Sequence, residues 1–214
     1  MTHGGTEMAT LGAMRTRIAD ELQIDATVYS TEIDRAIFSA IEFYNEDDFW
    51  FLESMPTNIL LTATTNYVLG TVLPGRSQIN NIILHLSPTR EPLLYRSPTE
   101  LLEMAYDDNF TGEPLYYTIH ADNLIVRPKP SATFTAETWY SLRASMTASA
   151  TASSVWTNEA EELIRMHAEA DVLENRIKDY DEAGRKRVRE EQIREKLEEK
   201  TLKRRGSRRI KPNL

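Results

Sequence analysis

The chain has 214 residues, 41% of them hydrophobic and 27% charged, with a formal net charge of −8. That is enough apolar chain to bury a core without covalent staples, and it excludes wholesale disorder. The absence of cysteine excludes disulfide frameworks, cysteine-ligated zinc and thiol nucleophiles, and no apolar run is long enough for a membrane-spanning helix. Residues 1–9 read as a flexible leader without the basic and apolar segments of a signal peptide, which fits a protein made in cytoplasm. From Thr10 onward, Leu11, Met14, Ile18 and Leu22 form one apolar stripe at helical spacing. A second helix is expected to open at Thr31, with Asp34 in capping-box position, and to run through Ile33, Ile37 and Ile41. The short connection predicts an antiparallel pair over residues 10–52, sealed by Phe49-Trp50-Phe51-Leu52.

Residues 53–147 change period and read as a β-rich lobe. Segments 58–61 and 67–69 predict a hairpin through Thr62-Ala63-Thr64-Thr65-Asn66, and Pro74-Gly75 is a turn before a strand over 78–86. A short strand at 93–95 precedes Ser97-Pro98-Thr99-Glu100, which carries a serine cap, proline at the first helical position and a glutamate to close the box. The helix it starts should be short, over 98–106. A second hairpin over 115–119 and 123–127 and a last strand over 138–145 complete the lobe. Residues 146–154 are small and polar and read as a linker.

A bundle helix is expected over 155–184. Its seam, Leu163, Met166, Ala170, Leu173, Ile177 and Tyr180, seeks a partner helix, and Gly184 marks a break. From residue 185 to the end the chain holds 13 Lys/Arg against 5 Asp/Glu, a local balance of +8 set against −16 for the rest. The last twelve residues carry six positive charges and no acid, and are expected to stay unstructured until bound. Such an arm meets something negative: nucleic acid, an acidic protein, or another copy of the acidic body. The fold class read from all this is α+β, a helix bundle with an inserted β-rich lobe and an extended basic C-terminal helical arm.

Motifs for catalysis are missing. The histidines His3, His85, His120 and His167 have no metal-ligand spacing, and Ile164 stands where a Glu-x-x-His di-metal motif needs its glutamate. His167 is therefore expected at a solvated or bundle edge. Glu46-Asp47-Asp48 and Asp107-Asp108 read as solvated helix ends, and Phe49-Trp50-Phe51 as core ahead of an interface. No enzyme activity and no cofactor are expected.

The opening Met8-Ala9-Thr10-Leu11-Gly12-Ala13-Met14, then Ala36-Ile37 through Phe43-Tyr44, and the Phe49-Trp50-Phe51 cluster resemble head-to-tail adaptor proteins of tailed bacteriophages. Tyr67-Val68-Leu69, Leu73-Pro74 and Ile79 to Leu86 are similar to the β lobe of that family. The resemblance implies a structural virion protein and no reaction. It implies a ring, typically of twelve copies, docked under the portal protein, extending the DNA channel and receiving tail or nozzle proteins. It also implies that the C-terminal segment reaches the portal. On this sequence those contacts would be Arg185, Lys186, Arg187, Val188, Arg189, Ile193, Arg194, Leu197, Lys203, Arg204, Arg205, Arg208, Arg209 and Lys211, with packaged DNA as a further possible contact of the arm. Two other readings compete: a tail-tube or tail-completion component, and a DNA-associated protein acting through the arm.

Overall fold

In the computed structural model, which describes residues 10–104 and 110–206, the stripe that begins at Leu11 forms helix α1 (Leu11–Glu21). Thr10 caps it, its hydroxyl accepting the Ala13 N–H at 3.2 Å. Helix α2 (Ser30–Tyr44) starts without a side-chain cap, because Asp34 has another task. Its carboxylate takes Arg15 of α1 at 2.6 Å, so the expected capping box is an ion pair between the two helices. A 3-10 turn, Trp50–Leu52, follows.

The segment read as a linker is tied down. The Leu11 and Gly12 N–H groups each donate at 2.9 Å, to the Ala152 and Ala150 carbonyls, and so satisfy the first orphan donors of α1. A Cβ at position 12 would stand 2.9 Å from the Ala150 oxygen, so only glycine permits the approach. Helices α5 (Val155–Glu159) and α6 (Glu161–Val172) come next, then a π-turn, Leu173–Ile177. The break lies at Lys178, which adopts the left-handed conformation (φ 68°) while its N–H returns to the Leu173 carbonyl at 2.7 Å. The Asp179 carboxylate accepts the Glu182 N–H at 3.0 Å and starts helix α7 (Tyr180–Gly206). Gly184 sits inside that helix, and the Asp179 cap is the signal that places the boundary earlier.

Two compact units result. One combines residues up to Leu52 with those from Ala144, and the other is Glu53–Arg143. The first holds a buried cluster of Leu11, Met14, Ile18, Ile33, Ile37, Ile41, Tyr44, Phe49, Leu52 and Trp156, to which α6 adds Leu163, Ile164, Ala168 and Val172. Met166, Ala170 and Leu173 are buried outside that cluster, whereas Ile177 and Tyr180 are exposed. The seam is thus split between two neighbours, since α6 packs on both α2 and α7.

The second unit contains β1 (Thr57–Leu61), β2 (Asn66–Val68), α3 (Leu69–Val72), β3 (Arg76–His85), β4 (Arg90–Pro92), β5 (Leu94–Tyr95) and α4 (Pro98–Glu103). It continues with β6 (Thr111–Gly112), β7 (Tyr116–His120), β8 (Asn123–Arg127), β9 (Lys129–Pro130) and β10 (Phe134–Leu142). One sheet has the order β1-β10-β3-β4, another β2-β8-β7-β5, and β6 pairs with β9. The hairpin of β7 and β8 and the Ser97 capping box of α4 agree with the sequence reading. The first expected hairpin does not form, because β1 pairs with β10 and β2 with β8. The intervening turn carries the chain from one sheet to the other. The Tyr67 hydroxyl closes it by donating to the Thr62 and Thr64 carbonyls at 2.7 and 2.9 Å. Ile59, Leu61, Ile82, Leu84 and Ala136 from one sheet and Tyr67, Leu124 and Val126 from the other share one apolar cluster. The fold is α+β. Residues 1–9, Asp107-Asp108 and the chain beyond Gly206 lie outside the described residues.

Candidate functional site

Most of the arm picked out by its charge is a long helix seated on the bundle. Ala183, Glu190, Leu197 and Thr201 of α7 are buried, and Leu197 and Ile193 join the main core. Of the last twelve residues, expected to stay unstructured until bound, 203–206 form the end of α7; the helix before them is seated because these positions lie on one helical face and because its charges find partners within the chain.

The partners form layers. Near the α6–α7 turn, Arg187 reaches Asp171 at 2.6 Å and Glu174 at 3.1 Å. One turn further, Glu190 accepts from Arg187 at 3.1 Å and from the Tyr44 hydroxyl of α2, and lies 2.8 Å from His167 Nδ1 of α6. His167 is therefore buried, and its expected place at a solvated edge is corrected. On the adjoining face Lys186 bridges Glu169 at 2.6 Å and Glu21 at 3.1 Å, and Arg165 holds the same two carboxylates. Toward the C-terminal end Arg194 pairs with Asp47 at 3.0 Å and Arg205 with Asp48 at 2.7 Å, while the Arg204 guanidinium lies 4.5 Å over the Trp50 ring. The acids after α2 are thus not merely solvated; two of them hold α7.

Burial and neighbours set the protonation states. Burial pushes the Glu190 carboxyl up, but hydrogen bonds from His167, Tyr44 and Arg187 outweigh it and hold the group below the ordinary carboxylate value. Burial raises Glu169, reinforced by the Glu21 charge, and Lys186 and Arg165 only partly compensate. Burial alone would lower Lys186, yet its bonds to Glu169 and Glu21 raise it. The Tyr44 phenol is pushed well up by burial and by Glu190, so it stays a hydrogen-bond donor.

The residues singled out from sequence therefore separate into two sets. Lys186, Arg187, Ile193, Arg194, Leu197 and Arg205 face the chain's own body. Arg185, Val188, Arg189, Lys203 and Arg204 are exposed; Arg185 pairs with Glu182 at 2.9 Å, Arg189 with Glu162 at 2.7 Å and Lys203 with Glu199 at 2.6 Å. Of the apolar residues singled out, Val188 is exposed, Ile193 half-buried and Leu197 buried. Arg208, Arg209 and Lys211 lie outside the described residues. Charge counting missed Glu169, Glu190 and Tyr44. Glu169 carried a signal, since it falls three residues after Met166 on the buried side of α6.

Among the described residues no group of three or more His, Asp or Glu could hold a metal ion, and no helix is long and apolar enough to cross a membrane. What the arrangement can do is mechanical: it fixes a 27-residue helix along the bundle and carries the chain end to one extremity of that helix. A family model described as SU10 adaptor protein matches residues 9–212. Comparison with curated proteins gives no match.

Proposed function

The chain belongs to the SU10 adaptor protein family, and from that premise we propose that it is the head-to-tail adaptor of a tailed phage. As a phage structural adaptor it is a virion component, and such a family implies a non-enzymatic protein that contacts other virion proteins. In the finer reading, copies assemble as a ring, of twelve in the usual arrangement, under the portal. The ring extends the DNA channel and presents the platform for tail proteins. The observation that carries this is the extent of the match, which takes in the bundle, the β unit and nearly all of the basic end. A physical support is that α7 clamps its own body through residues 186–205, so the charges proposed for a partner are those of the acid-free sequence that follows.

The docking element proposed is the chain end rather than the whole arm. Three positive charges and no acid in the eight residues after Gly206 attract a negative surface over a Debye length of about 8 Å at physiological salt. Ordering on contact then fixes the register. The test is a native mass measurement of the protein alone and mixed with its portal ring, using the full chain and a chain ending at Gly206. The full chain should load onto the portal in a salt-sensitive way, and the shortened one should fold normally but load poorly. Equal loading by both would move the contact elsewhere.

A further inference from the structure

Helix α7 carries opposite charge on its two flanks. At about 100° per residue, Arg185, Arg189, Gln192, Lys196, Lys200 and Lys203 fall in one line along the helix, and every one is exposed. Glu191, Glu195 and Glu198 fall in a second line across the helix from the first, continued by Leu202, again all exposed. The buried face lies between them. Lys196 and Lys200 take part in no ion pair among the described residues, and neither does Glu195. Arg194, at the margin of the buried face, reaches Glu198 at 3.2 Å and Glu191 at 3.9 Å.

Each flank also borders a hollow of its own. Beside the basic line is an open groove of about 560 Å³ with Ala160, Leu163, Val188, Ile193 and Leu197 among its lining. Glu161 and Glu162 on its far wall are taken by Arg17 and Arg189, at 2.6 and 2.7 Å; Glu159 stands beside them. The other hollow, about 240 Å³, lies by Asp47, Asp48 and Phe49, and Leu202 beside it is 67% exposed. One side offers cations around an apolar groove; the other offers Glu191, Glu195 and Glu198 beside an apolar knob, while Asp47 and Asp48 there are taken by Arg194 and Arg205.

We infer that a second copy of this chain docks its acidic α7 flank, led by Leu202, into the basic groove of its neighbour. The two surfaces differ, so the contact is heterologous: it leaves one flank unused on every added copy and closes as a ring or runs on as a filament. A self-complementary dimer would need one patch to meet itself, and like charges in register would oppose that. The inference rests on the adaptor reading for its biological setting, but its geometry is that of the isolated chain.

Sedimentation velocity at low ionic strength tests it, with the full-length protein and two charge-reversed variants, Lys196→Glu/Lys200→Glu and Glu195→Lys/Glu198→Lys. The unaltered chain should associate with rising concentration and less so with added salt. Each variant alone should associate about tenfold or more weakly, since the charges outside intramolecular ion pairs then have one sign on both of its flanks, Arg185, Arg189 and Lys203 being paired with Glu182, Glu162 and Glu199. An equimolar mixture of the two should recover association, because every contact again pairs opposite flanks. If losing the Glu198–Arg194 pair lowers the melting temperature, Glu191→Lys/Glu195→Lys replaces the second variant. A mixture no better than its components, or an unaltered chain that stays monomeric at millimolar concentration in low salt, overturns the proposal. Portal loading is scored separately. A chain that loads but shows no charge-swap rescue removes this interface and keeps the adaptor reading, and rescue without loading does the reverse.

Discussion

Glu190 is the residue on which three helices meet. It joins Tyr44 of α2, His167 of α6 and Arg187 on its own helix, in a place largely closed to water. Removing one member of a buried charged group leaves the others without partners, at a cost of about 3–5 kcal/mol. Glu190→Ala should lower stability by that order, and Glu190→Gln by less, as read from urea unfolding. The folded-state value of Glu190 is depressed, so its contribution is complete above the ordinary carboxylate value of about 4.3 and disappears as pH falls through the folded value. The acid limb of the stability curve should therefore be shallower in Glu190→Gln. A limb of unchanged slope would show that other carboxylates govern acid unfolding.

Gly184 makes a smaller point of the same kind. It is exposed within α7, with φ in the ordinary range, and nothing stands within 4 Å of a Cβ placed there. Gly184→Ala should stabilise by about 0.5–1 kcal/mol, which raises the melting temperature by a few degrees in a scanning experiment. A drop would mean that the helix bends there in solution.

At the scale of elements, α7 is part of the folded bundle. Truncation at Asp179 would uncover Glu169, His167 and Tyr44 and strip the ion partners from Asp47 and Asp48. The bundle should then lose its cooperative thermal transition, opposite to what a solvated arm predicts. Hydrogen exchange should show protected amides around Glu190, Leu197 and Thr201 in the full chain. Rapid exchange through those residues would restore the picture of a free arm. The same scale explains why the heptad-like seam misled: Leu163 to Tyr180 reads as one stripe, yet the π-turn at Leu173–Ile177 rotates its last positions into solvent.

For the whole molecule, the β unit is inserted in sequence between the two stretches of the bundle unit, the one that ends at Leu52 and the one that resumes at Ala144. Its ends are joined: Glu53 bridges Ser141, and the Ser54 N–H donates to the Tyr140 carbonyl at 2.9 Å. A unit with adjoining ends and its own apolar cluster can fold alone. Expressed by itself, 53–143 should give a β-type circular dichroism spectrum and a cooperative melt. A spectrum without structure would show that the bundle is needed to hold it.

Much of this was written in local sequence. The stripe from Leu11, the capped start at Ser97, the hairpin of β7 and β8 and the α+β class follow from periodicity and capping, which act over a few residues. The sign of the arm was equally plain. Its destination was not, because a count of charges has no distance in it. Only the tertiary fold brings Glu21, Asp47 and Glu169 within ion-pair reach of Lys186 and Arg194, residues far along the chain. Strand pairing escaped for the same reason: the turn after β1 suits a hairpin locally, but burial of Ile59 and Leu61 beside Ala136 sends β2 to another sheet. Short-range chemistry is legible from the order of residues. Which buried acid meets which cation, and which flank of α7 stays outside, depends on contacts between distant segments that only the packed chain decides.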